Sequence, residues 1–245
     1  MRIKRIHDWN VTTSEARELQ DRLASSVVQK SLPRRISRIA AADVAVGKRG
    51  TTAAAAIVVF SFPSLSELDF VVARGKVTFP YVPGLLTFRE GPILIDALRN
   101  LRTRPEVILF DGQGIAHFRG MGIASHMGLF LGIPTVGCAK SPLIKPAREP
   151  ARARGCWSPI ERGGLTVGAA LRTRSNVKPV YVSPGHLADI RSSMRLVLAC
   201  CGKFRLPEPL RAAHMACCAA VREGGVNDLE KTFNDAVNIR NVNRL

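Results

Sequence analysis

Apolar residues in this chain follow two rhythms, one of period about four and one that alternates or runs unbroken, and the changes between them mark out the elements. Thr12 and Glu15 have capping-box spacing, and Ala16, Leu19, Leu23 and Val27 follow at helical intervals, so the pattern predicts an amphipathic helix to about Lys30, stopped by Leu32-Pro33. Ile36 to Val46 is apolar and β-compatible, Gly47 to Gly50 makes a turn, and Thr52 to Phe60 and Leu68 to Val77 read as second and third strands. Short polar turns between them predict an antiparallel meander. Thr87 and Glu90 repeat the capping-box spacing ahead of Ile93, Leu94, Ala97, Leu98 and Leu101, so a second helix is expected from Thr87, although Pro92 is ill placed for that start.

Val107 to Phe110 is a short unbroken apolar run closed by Asp111-Gly112-Gln113-Gly114, the mark of a strand buried on both faces. Met121 to Leu131 reads as a helix and Pro134 to Ala139 as another buried strand. Lys140 to Gly164 is irregular and rich in Pro, Gly and Arg, and so reads as a long loop, functional or mobile. Leu165 to Arg172 and Pro179 to Val182 look like strands, His186 to Cys201 and Pro209 to Val221 like helices. The order of strands and helices predicts an α/β fold with a mixed sheet, an antiparallel meander joined to parallel strands and flanked by helices. At 245 residues, one domain spanning residues 1–223 is expected, followed by a polar tail over 224–245.

Charge narrows the partners. There are 36 Lys and Arg against 19 Asp and Glu, a formal net charge of +17, which favours a polyanion such as nucleic acid. The charge is dispersed along the chain, unlike that of a membrane-surface binder. The longest strongly apolar stretch, Ala53 to Phe60, is far below the roughly 20 residues of a membrane crossing, and MRIKRIHDWN lacks the apolar core of a secretory signal, so a cytoplasmic protein is expected. The pairs Cys200-Cys201 and Cys217-Cys218 read as small buried residues of helices. They lack the C-x-x-C spacing of a zinc site and would serve a metal only if the two pairs met in space.

Three carboxylates stand where chemistry is expected. Asp111 closes a buried strand at the edge where α/β sheets bind ligands; Asp43 lies inside an apolar strand, where a charge needs a partner; Glu90 sits near a helix start. Asp-Gly also makes a simple turn, Asp43 could pair with an arginine, and Glu90 could merely cap its helix. If the first and fourth strands are neighbours, the carboxylates meet and form a hard-oxygen set suited to Mg²⁺ or Mn²⁺.

The blocks PYVPGLLTFREGP, LFDGQGIAHFRGMGIASH, PTVGCAK and NVKPVYVSPGH, which with the first strand and His214 span roughly Ile36 to Ala220, resemble the signature blocks of the endonuclease V family. The resemblance implies an RNase H-like fold, a Mg²⁺ requirement with Mn²⁺ as substitute, and hydrolysis of the second phosphodiester bond 3′ to deoxyinosine or another deaminated base in DNA. The products would carry 3′-hydroxyl and 5′-phosphate ends. Matched position by position, Asp43, Asp111 and Glu90 are the family's acidic metal set, Lys140 its lysine near the scissile phosphate, and His214 its helical histidine. Tyr81, held among Pro80, Val82 and Pro83, matches the wedge that fills the gap left by an extruded base. The base pocket is expected from backbone near Gly84, Gly112 and Gly137, with His117 as a neighbouring or phosphate contact and His126 and His186 structural. Lys145, Arg148, Arg152, Arg154, Arg162, Arg172, Arg174 and Lys178 are expected to follow phosphates. Val44-Ala45-Val46 departs from the polar or aromatic residue many relatives have after Asp43, which touches only the neighbouring packing. Inosine-containing RNA is the alternative substrate and a non-catalytic nucleic-acid binder the alternative class; a monomer without a small-molecule cofactor is expected.

Overall fold

The computed structural model describes Met1 and residues 3–222. Among them lie helix α1 (Thr13–Ala24), strands β1 (Arg38–Val46), β2 (Thr52–Ser61) and β3 (Glu67–Lys76), α2 (Leu86–Arg99), β4 (Val107–Phe110), α3 (Ile123–Leu131), β5 (Thr135–Ala139), β6 (Trp157–Arg162), β7 (Leu165–Leu171), β8 (Val180–Pro184), α4 (Ile190–Ala199) and α5 (Glu208–Arg222). The strands form one sheet in the order β3-β2-β1-β4-β5-β8-β7-β6. The meander β1-β2-β3 is antiparallel, and β4 and β5 continue from β1 in parallel.

Alternation along the central strands divides the core. Ile39, Ala41, Leu109 and Val136 face a layer containing α4 and α5, whereas Ala40, Ala42, Ile108 and Phe110 face α2 and α3. The alanines of β1 and β2 leave room for α5, whose Ala212, Ala213 and Ala216 pack in the same layer. Asp43 has the same parity as Ala41 and so looks toward α5.

Four expectations are corrected. The first helix stops at Ala24, six residues short of Lys30, because Ser25 bends back to the Arg22 carbonyl and the next residues are drawn elsewhere. Val28 donates its N–H to His186 Nδ1 and accepts from Leu187 N–H. Helix α2 has no capping box: Leu85 is its cap without a side-chain bond, Thr87 is buried inside the first turn, and Pro92 lies within the helix. The stretch from Lys140 to Gly164 is not wholly irregular, since β6 forms a hairpin with β7 through Gly163 and Gly164, both at positive φ. Pro159 hid that strand, yet β6 is at the sheet's edge, where a missing N–H is tolerated. Helix α4 begins after Asp189, whose carboxylate accepts the Ser192 N–H, instead of at His186. The expected tail over 224–245 lies outside the described residues. Among the described residues no helix is long and apolar enough to cross a membrane.

Candidate active site

Parallel pairing of β1 with β4 sets Ala42 beside Phe110, and Asp111 N–H donates to the Ala42 carbonyl at 3.2 Å. Asp43 and Asp111 are thereby brought to the same end of adjacent strands. Asp43 Oδ1 accepts its neighbour Val44's N–H at 2.8 Å, and Oδ2 accepts from His214 Nδ1 of α5 at 2.7 Å. One carboxylate oxygen of each aspartate and one ring nitrogen of His214 lie within 4.8 Å of one another. Lys140, directly after β5, donates from Nζ to Asp111 Oδ2 at 2.6 Å.

Crowding of negative charge shifts the protonation equilibria of the site. Burial, then the charge of Asp111, holds the Asp43 carboxyl above its ordinary range, against the opposing bonds from His214 and Val44. Glu90 of α2 is pushed up to about 8 by burial and then by Asp43 and Asp111. Burial alone would lower the Lys140 ammonium, but the hydrogen bond and charge of Asp111 overcome it and hold the group above its ordinary value. Asp43 and Glu90, each held up by burial and by the neighbouring aspartate charge, together with Asp111 offer hard oxygen donors that fit a divalent cation of the Mg²⁺ or Mn²⁺ kind.

Beside this cluster lies a cavity of about 240 Å³, lined by residues of the 81–87 segment, by Gly112 and Gln113, by Met121 to Ile123 and by Ser141 to Leu143. Its scale, below the ~300–1,000 Å³ of drug-sized sites, suits a single nucleobase. Tyr81 stands at the rim with 71% of its surface exposed, above the buried Phe79. Pro80 and Pro83 are exposed and Val82 is half-buried against a small core that includes Phe79 and Leu85. The loop is fastened by Leu85 N–H to the Val82 carbonyl at 2.9 Å and by Arg89 to the Phe79 carbonyl at 2.7 Å.

Gly84 and Gly112 line the cavity as expected, but Gly137 does not. A Cβ there would come within 2.6 Å of the Gly112 carbonyl and 2.7 Å of Gly114 N, so Gly137 lies beneath the 112–114 turn and lets it rest on β5. His117 lines the cavity but is buried, and burial pushes it down to about 4. Being neutral, it donates from Nε2 to the Gly84 carbonyl at 2.9 Å and accepts Arg119 N–H on Nδ1 at 3.2 Å, which makes it a loop fastener and leaves neither nitrogen for a phosphate.

Several arginines expected on phosphates are tied to the protein instead. Arg172 is buried against the carbonyls of Pro150, Ala151 and Val177; Arg154 reaches those of Thr173, Leu198 and Cys201; Arg162 holds the His117 carbonyl and Arg174 that of Lys203. Lys145, Arg148, Arg152 and Lys178 remain exposed. His126 and His186 are structural, the former in a nest with His7, Trp9, Phe88 and Phe130, the latter bonded to Val28. Sequence reasoning missed Gln20. It sits on the buried face of α1, donates to the Gly84 and Met121 carbonyls and accepts from Arg119, tying helix to cavity. The signal was present as a glutamine at a position of the apolar stripe set by Ala16, Leu19 and Leu23.

A mixed sheet with carboxylates gathered at the ends of two adjacent parallel strands, a lysine at their side and a base-sized cavity next to them, defines an RNase H-like phosphodiester nuclease. The family profile described as Endonuclease V matches residues 21–215. "Endonuclease V" of Methanothrix thermoacetophila is 47% identical over 215 residues, 88% of this chain and 95% of that one. The protein of the same name from Roseiflexus sp. is 45% identical over 205 residues, 84% of this chain and 91% of that one. The crystal structure of the endonuclease V from Streptomyces avermitilis superposes with a TM-score of 0.83 at 40% identity, covering 87% of this chain and 95% of its own. The chain belongs to the endonuclease V family and is a nuclease that hydrolyses phosphodiester bonds of DNA.

Proposed function

We propose that this chain hydrolyses the second phosphodiester bond 3′ to deoxyinosine, with a divalent cation held by Asp43, Asp111 and Glu90. Mg²⁺, or Mn²⁺ in its place, would supply Lewis acidity, lowering the pKa of water and offsetting phosphate charge. The carboxylates' part is to place that positive charge at the ends of β1 and β4. His214 keeps its Nδ1–H on Asp43, so Nε2 carries the lone pair and is the atom that takes the proton of the attacking water. Lys140, released from Asp111 as the strand binds, meets the charge that develops on the phosphate and the leaving oxygen.

Recognition falls to the neighbouring region. Tyr81 enters the base stack, and the extruded base takes the cavity edged by Gly84 and Gly112, where backbone groups approach it closely. Extrusion costs least where pairing is already weak, so part of the selection precedes pocket contact. The exposed Lys145, Arg148, Arg152 and Lys178 follow phosphates without reading sequence. The observation that carries this reading is that Asp111 belongs to the acid cluster while its chain neighbour Gly112 lines the cavity, so cutting and recognition meet within one residue.

The test is a cleavage map on matched strands: DNA with one deoxyinosine, the same DNA without it, and RNA with one inosine, each with Mg²⁺, Mn²⁺ or chelator. Expected is one cut at the second bond 3′ to deoxyinosine, with a 5′-phosphate on the distal product, absent with chelator. Cleavage that survives chelation would remove the metal assignment; preference for the RNA strand would replace the substrate, and a cut elsewhere would break the proposed geometry.

A further inference from the structure

On the outer side of His214 lie two sulfur donors that the nuclease reaction does not use. His214, Cys217 and Cys218 occupy positions i, i+3 and i+4 of α5 and so share one face of the helix. A ring nitrogen of His214 and the two sulfurs lie within 4.8 Å of one another. His214 Nε2 is 3.8 Å from Cys218 Sγ, and Cys217 Sγ is 3.7 Å from Asp43 Oδ2. Cys217 is buried and Cys218 half-buried, while His214 is half-exposed, which leaves the cluster open to solvent on one side.

We propose that His214 Nε2, Cys217 Sγ and Cys218 Sγ form a site for Zn²⁺ that shares His214 with the acid cluster but uses none of its carboxylates, and that zinc bound there switches the nuclease off. Metal-ligating histidines ordinarily give their other ring N–H to a carboxylate, which fixes tautomer and ring orientation. The bond from His214 Nδ1 to Asp43 already does this and aims the Nε2 lone pair at the sulfur of Cys218. Zinc at about 2.0–2.1 Å from nitrogen and about 2.3 Å from sulfur holds a nitrogen and a sulfur about 3.5–3.6 Å apart, and two sulfurs about 3.8 Å apart, when tetrahedral. The Nε2 to Sγ distance of 3.8 Å exceeds the nitrogen–sulfur spacing by only about 0.2 Å. Thiolate ligands select zinc over Mg²⁺, so the two ions seek different donors. Each zinc–sulfur bond releases one thiol proton to solvent, with no change of oxidation state. The cysteines were expected as buried packing, and the partner that makes a site of this pair is a histidine, not the other cysteine pair.

The inhibition rests on His214 accepting a proton in the cleavage reaction, since a zinc ion on Nε2 occupies that lone pair; the binding site itself does not rest on it. Two readouts keep them apart. Titrating Co²⁺ into the reduced, metal-free full chain should give one equivalent with thiolate-to-cobalt charge-transfer absorption, displaced by Zn²⁺, retained in Asp111→Ala and lost in the Cys217→Ser/Cys218→Ser double variant. With Mg²⁺ fixed, Zn²⁺ should slow deoxyinosine cleavage by about a hundredfold, the low end of what proton transfer contributes. Cys218→Ser should keep the Mg²⁺ activity and escape that inhibition. Circular dichroism checks that each variant is folded, and should the double variant unfold, Cys218→Ser alone carries the spectral test. Cobalt binding without charge transfer overturns the site. Equal zinc inhibition of the intact chain and Cys218→Ser overturns the switch and places the inhibitory ion on the carboxylates.

Discussion

The acid cluster and the base-sized cavity touch at Asp111 and Gly112, yet they are built from opposite materials. The cluster is made of side chains on rigid elements: Asp43 on β1, Asp111 at the end of β4, Glu90 on α2 and His214 on α5. Its charges are crowded and largely withdrawn from water. The cavity is edged mainly by loop backbone with glycines and prolines, and its most prominent side chain, Tyr81, stands in solvent. Transition-state stabilisation needs charge fixed within a fraction of an ångström, which strands and helices supply. Reading an extruded base needs close backbone approach and one stiff aromatic, which a short loop of restricted torsions supplies. Changes to the first region should therefore alter rate, and changes to the second should alter choice of substrate.

The largest effect should come from Asp43→Ala or Asp111→Ala. Each removes a donor from the cation's set, and we expect deoxyinosine cleavage to fall about a thousandfold or more while DNA affinity is kept, as measured by single-turnover cleavage beside a binding titration. If either variant binds DNA as weakly as it cuts, the cluster serves positioning and the division between the regions fails.

Glu90 gives the next effect, through pH. Its folded value near 8 lies above the ordinary 4.5, so between those values the folded state holds more protons than the unfolded one and stability falls as pH rises. His117, pushed down to about 4 from the ordinary 6.5, acts in the opposite sense below pH 6.5, because there the unfolded state takes up a proton that the folded state does not and stability falls as pH falls. The clean window for Glu90 is therefore pH 6.5 to 8, where the metal-free chain should lose on the order of 2 kcal/mol. Denaturant unfolding in chelator should show the slope, and Glu90→Gln should flatten it. Added Mg²⁺ should stabilise more at pH 8 than at pH 6.5. A slope that persists in Glu90→Gln assigns the proton to another group.

These two regions were unequally legible in the sequence. Asp43 and Asp111 could be read because each interrupts or closes an apolar run, and a carboxylate in that position needs a reason. The Thr87–Glu90 spacing misled, since the interval that caps one helix also sets a residue on another helix's inner face, here toward the aspartates. Gly137 looked like a lining residue because sequence shows that a Cβ is missing and not which side is crowded. The arginines of the 140–174 region carry the same charge whether they meet phosphate or a carbonyl of their own chain, and only tertiary placement separates Arg152 from Arg172. Strand β6 was hidden by Pro159, whose cost vanishes at a sheet edge.

Within the recognition region, Tyr81→Ala should cost about 1–3 kcal/mol, the usual worth of one base stacked on an aromatic ring. That corresponds to about a 5- to 160-fold loss in the ratio of kcat/KM for deoxyinosine DNA over undamaged DNA. Binding to undamaged DNA should change little. Equal losses on both substrates would remove the wedge role and leave Tyr81 a general contact.

The smallest effect tests whether the loop's stiffness, apart from its ring, contributes to that choice. Pro80 is exposed, so its replacement removes little packing, but its ring restricts the backbone next to Tyr81. Freeing such a position changes conformational free energy by about 0.4–1 kcal/mol. Pro80→Ala should therefore lower deoxyinosine selectivity only about two- to fivefold, with the melting temperature nearly unchanged and Tyr81 still in place. A loss as large as that of Tyr81→Ala would mean that the fixed path of the chain, more than the aromatic face, selects the damaged base. No loss at all would assign the rigidity to the buried Phe79 and to the Arg89 bond on its carbonyl, which hold the loop from below.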